Sequence, residues 1–60
     1  MAAEILIVED EAKIVRFIEL ELLHEGYEVD TVDNGRDAVN RIREAEYDII
    51  LLDIMLPEMD

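Results

Sequence analysis

Tyr27 to Val32 reads YEVDTV, and the alternation within this stretch decides how the chain folds. Val29 is set between Glu28 and Asp30, so one face of a strand here is apolar and the other charged until Val32 ends it. Two other strand-like runs differ. Ile5 to Val8 (ILIV) and Ile49 to Leu52 (IILL) carry no polar residue at all, the pattern of strands covered on both faces. An alternating strand belongs at an edge and a uniform one at a centre.

Between the strands the apolar period lengthens. From Glu11 to about Glu25, Ala12, Val15, Ile18 and Leu22, joined by Ile14, fall on one stripe of an amphipathic helix. Asp10 or Glu11 suits its N-terminus, and Gly26 suits the left-handed position just past its end. Asp33-Asn34-Gly35 is turn chemistry in which Asp33 or Asn34 can cap a helix beginning there. Ala38, Val39, Ile42 and Ala45 mark that second, shorter helix. Tyr47-Asp48 leads into the last strand. A β-α-β-α-β order with apolar strands predicts a parallel sheet with right-handed helical crossovers. Strand order is then 1-2-3 with both helices on one face, or 2-1-3 with one on each. The edge character of the middle strand selects 2-1-3: an α/β fold, half of a doubly wound parallel sheet.

Composition bounds the function. Sixty residues make one small domain, and a chain this size buries only about 60% of its unfolded surface. With no cysteine, disulfide staples and thiolate metal sites are excluded, and the single histidine argues against structural zinc. Seventeen acidic residues against five basic ones give a formal charge of -12, which disfavours direct contact with nucleic acid and favours cations and basic surfaces. MAAEILIVED has no basic leader segment, and its apolar run is too short to span a membrane. The expectation is a soluble cytoplasmic protein.

In open α/β sheets the working site lies beyond the carboxyl ends of the strands, near the reversal of strand order. Order 2-1-3 brings Glu9, Asp10 and Asp53 to one rim. Three carboxylates so close repel unless a cation lies among them. Oxygen ligands alone suit a hard ion, and Mg²⁺ takes one or two carboxylates while keeping several waters. A carboxylate beside such a metal can itself attack phosphorus to give an aspartyl phosphate. Solvated turn acids are an equally good reading of the same residues. Nucleotide binding is weaker, because the turn after the first strand reads EDEAK, not a glycine-rich loop.

The segments ILIVEDE, LLHEGYEV, DNGRDAV and YDIILLDIMLPEMD, in this order, resemble the N-terminal half of a response-regulator receiver domain of two-component systems. The resemblance covers residues 1–60, and it implies half of a flavodoxin-like fold. It implies that Asp53 is the phosphoacceptor for a histidine kinase and Asp10 a direct Mg²⁺ ligand. Glu9 would act on the metal through water and Met55 through its main-chain carbonyl. Such a domain accepts a phosphoryl group and is not an enzyme in its own right. The family's later half supplies a Ser/Thr hydroxyl and a lysine to the phosphoryl group. Lys13 matches neither role, so impaired phosphorylation is expected.

Other residues read more plainly. His24 complements the dipole at a helix end, Glu19, Glu21 and Glu25 form a solvated face, and Asp30 and Asp33 are edge and turn residues. Met59 is loop packing. Phe17 and Leu20 fall opposite the Val15-Ile18-Leu22 stripe, where the sheet cannot bury them. The last strand is left as an unpaired edge, which templates another strand. The expectation is a homodimer in which these edges meet antiparallel across a two-fold axis, with a face-to-face or strand-swapped dimer as competitor. A second reading of the whole is an excised or engineered half-fold that assembles with itself and carries no signal.

Overall fold

The computed structural model describes residues 2–52. Five elements occur in order: β1 (Glu4–Val8), α1 (Ala12–His24), β2 (Glu28–Val32), α2 (Gly35–Glu44) and β3 (Ile49–Leu52). The sheet runs β2-β1-β3 and both pairings are parallel. Leu6 faces Asp30 on one side and Ile50 on the other, and Val8 closes both ladders against Val32 and Leu52. The alternating strand, β2, is therefore at one edge of the sheet, as its pattern predicts.

Central position explains the core. Leu6 and Ile7 are 0% and 1% exposed because β1 has a strand on each side, with α2 packed on it and on β2 and α1 packed on β2. Leu6, Val32 and Ala38 cluster on the face covered by α2, with Val8 and Tyr47 packed at the margin. Ile5 and Ile7 alternate to the opposite face. There α1 packs on β2, half-burying Val15, Ile18 and Leu22.

Helix ends obey local chemistry. Gly26, at φ 97°, is the one described residue with positive φ, and it closes α1. The Gly26 N–H donates to Leu23 O and the Tyr27 N–H to Leu22 O, the paired bonds of a Schellman motif that needs a left-handed residue at this point. Asn34 is the cap of α2: its Oδ1 accepts from the Asp37 N–H at 2.8 Å. At the start of α1, Glu11 holds the capping position without a side-chain cap bond.

Three readings are adjusted. The apolar run of the final strand suits cover on both faces, yet all four of its residues are exposed, from Leu51 at 37% to Leu52 at 60%, in keeping with the expectation of an uncovered edge. It borders only β1 among the described strands, while α1 packs chiefly on β2 and α2 on β1 and β2. The stripe of α1 is also narrower than its period suggests, since Ala12 and Ile14 are exposed. A helix set over the edge strand brings only the middle of its stripe to the sheet. In α2, Ala38 alone is buried, Val39 and Ile42 stay half in solvent, and Ala45 is the extended residue after the helix. Phe17 and Leu20 are exposed, as their angular position requires.

Candidate functional site at the carboxyl rim of the sheet

The chain crosses from strand to helix at Glu9 and Asp10. The Glu9 N–H donates to Val32 O at 3.0 Å, carrying the β1-β2 ladder one residue past Val8. Held this way, the Glu9 side chain is only 7% exposed, an unusual state for a carboxylate. Its Oε2 accepts the Glu11 N–H at 2.9 Å, satisfying an amide at the mouth of α1 that Glu11 itself leaves uncapped. Asp10 comes next, open to solvent.

Two further elements reach this rim. β2 ends at Val32 and turns through exposed Asp33, whose Oδ1 accepts from Asn34 Nδ2 at 2.6 Å. β3 ends at Leu52, the register partner of Val8. Asp53 and Met55, expected to complete the site, lie outside the described residues. Among the described residues no group of three or more His, Cys, Asp or Glu side chains forms a metal-holding cluster. What they contribute is one buried and one exposed carboxylate in succession, both oxygen donors. That donor chemistry fits a hard dication and not a soft one.

A family model for the response regulator receiver domain matches residues 5–60. The chain belongs to the response regulator receiver family. Among its relatives are the response regulator ArlR proteins of Staphylococcus aureus strains Mu50 and MW2, each 51% identical over 57 residues. The match takes in 95% of this chain and 26% of each relative, so the chain spans about a quarter of their length. The three-stranded 2-1-3 arrangement is that of half a flavodoxin-like receiver fold. No helix among the described residues is long and apolar enough to cross a membrane.

The receiver's opposite, amino rim is built from acids whose contacts the sequence does not reveal. Glu4 and Asp48 clasp each other: the Glu4 N–H donates to Asp48 Oδ2 and the Asp48 N–H to Glu4 O, both at 2.8 Å. Glu4 is also the register partner of Glu28. A side-chain hydrogen bond with Glu28 raises the Glu4 carboxyl above its ordinary range, and repulsion from Glu28, Asp30 and Asp48 adds to the shift. Asp30 is more than an edge residue, since its Oδ2 accepts the Tyr47 hydroxyl at 2.6 Å and has Arg41 Nη1 at 3.4 Å. Hydrogen bonding to Asp30 holds the Tyr47 phenol in its protonated form and raises its pKa. A tyrosine directly before a strand is the one sequence sign of this link. Its partner depends on register across the whole sheet.

Proposed function

We propose that this chain acts as a phosphoacceptor module of two-component signalling in the cytoplasm, with Asp53 taking the phosphoryl group from a histidine kinase. A carboxylate oxygen of Asp53 attacks the phosphorus, the P–N bond to the donor imidazole breaks, and the imidazole leaves with a proton. Asp10 and Asp53 would hold Mg²⁺ directly, Glu9 through water and Met55 through its main-chain carbonyl. The ion would offset negative charge on the phosphoryl oxygens. The buried, bonded Glu9 sets the chain path that carries Asp10. One observation carries the reading: within the receiver family match, the acidic pair after β1 lies at the rim where β3 also ends.

The 60 residues hold a single lysine, Lys13, at the start of α1. Lys13 does not match the lysine that the family's later half brings to the phosphoryl group, so slow labelling of the 60-residue chain is expected. Incubation with acetyl phosphate and Mg²⁺, with mass spectrometry as the readout, tests this. The expected result is slow, Mg²⁺-dependent addition of one phosphoryl group that is lost in Asp53→Asn. Labelling at another residue, or none after prolonged incubation, overturns the phosphoacceptor reading. Rapid stoichiometric labelling overturns the claim that a lysine is needed.

A second reading, a self-assembling half-fold without signalling, draws support from the exposure of Ile49 to Leu52. Four successive aliphatics in an edge strand favour pairing with a second copy. The two readings separate by mass in solution, with and without Mg²⁺ and the phosphodonor.

A further inference from the structure

The other edge of the sheet has a different character. The Glu28 N–H donates to Ala3 O and Val32 O accepts from the Glu9 N–H, so Glu28, Asp30 and Val32 turn their main-chain groups toward β1. By alternation, the N–H and C=O groups of Val29 and Thr31 point away from the sheet. A groove of about 580 Å³, lined in part by Thr31, runs between α1 and α2 along this edge.

Charge selects what the groove can take. Glu9, Glu19, Asp33, Asp37 and Glu44 line it against Arg16 and Arg41, and Arg41 is already paired with Asp30. A second copy of the chain, at -12, is repelled from such a slot. A segment with lysine or arginine is attracted to it, and an extended one also meets the outward amides and carbonyls. We propose that the β2 edge is a docking slot for an extended basic segment, which adds to the sheet as a fourth strand beside Val29 and Thr31. Main-chain hydrogen bonds give the orientation and the carboxylate walls give the choice of partner. The slot adjoins the carboxyl-rim site, sharing Glu9 and Asp33 with it, but the strand edge it offers belongs to Val29 and Thr31.

The test is an amide NMR titration of the 60-residue chain with a synthetic peptide of alternating lysine and valine. An analogue of alternating glutamate and valine is the control. The expected result is saturable shifts centred on Val29 and Thr31 with the lysine peptide alone. Glu19→Lys and Glu44→Lys should each weaken binding roughly threefold, the scale of an exposed charge pair. Glu21→Lys, an equal charge change outside the groove, should weaken it less. Equal binding of the glutamate peptide, shifts centred on Ile49 to Leu52, or equal loss in all three variants would overturn the proposal.

Discussion

The Tyr47 hydroxyl donates to Asp30 Oδ2 at 2.6 Å, and this bond spans the sheet. Tyr47 precedes β3 and Asp30 belongs to β2, so the link joins segments on opposite sides of β1. Arg41, from α2, approaches the same oxygen at 3.4 Å. Tyr47 also packs against the Leu6-Val32-Ala38 cluster. Replacing it with phenylalanine keeps that packing and removes only the bond. Tyr47→Phe is expected to lower stability by about 1 kcal/mol, the net contribution of one such hydrogen bond, read from urea unfolding.

The same bond sets a pH dependence at the alkaline end. The phenol pKa is raised in the folded chain, chiefly by donating to Asp30. The folded state therefore binds the proton more tightly than the unfolded one. That contribution is complete below the unfolded value of about 10 and is lost as pH rises through the higher folded value. Stability of the wild-type chain should fall in this window, and Tyr47→Phe should show a shallower fall.

Glu4 obeys the same sign on the acid side. Its folded pKa is raised by the hydrogen bond with Glu28 and by neighbouring carboxylates. Its contribution is thus present below the ordinary value of 4.5 and declines as pH rises through the folded value. Glu4→Gln should be more stable than wild type at neutral pH, with the advantage shrinking on acidification. Thermal unfolding at both pH values checks this. An advantage that grows on acidification would contradict the role given to Glu28.

Capping offers a local test. Asn34 Oδ1 satisfies the Asp37 N–H at the start of α2, and an alanine leaves that amide without its partner. Asn34→Ala should cost about 1 kcal/mol and reduce helical circular dichroism. Asp33→Ala should cost less, because Asp33 accepts from the Asn34 side chain in the exposed turn and caps no helix amide among the described residues.

Local forces leave the clearest marks in the sequence. Alternation in Tyr27 to Val32 against uniform apolarity in Ile5 to Val8 is a face-by-face record of burial, so strand order can be read from it. Gly26 and Asn34 act within a few residues of themselves, and both helix ends that they govern are legible, Asn34 as one of two candidates. The aliphatics of β3 mislead for the opposite reason. Apolarity says that Ile49 to Leu52 suit a covered strand, but cover must come from other segments. Neither described helix packs chiefly there. At the site, Glu9 and Asp10 are legible as acids after a strand. The burial of Glu9 is not, since it arises from a bond to Val32, more than twenty positions away. Asp53 and Met55 fall outside the described residues.

The exposure of β3 leads to the last prediction. Ile5 and Ile7 turn their main-chain groups to β2, so their register partners Ile49 and Leu51 face β1, and the groups of Ile50 and Leu52 point away. Pairing of two such edges about a two-fold axis is antiparallel and brings Leu51 of each copy close to the other. Leu51→Lys puts an ammonium into that seam and should weaken self-association by at least about tenfold, as measured by analytical ultracentrifugation. Phe17→Lys, in the exposed part of α1, should leave an edge-paired dimer intact but disrupt one that meets through the α1 face. Salt separates the forces further. Two copies at -12 repel, so screening should tighten this association. At the β2 groove the same salt should weaken binding of a basic peptide. Opposite responses from the two edges are the expected signature, because one is uncharged aliphatic strand and the other is walled with carboxylates.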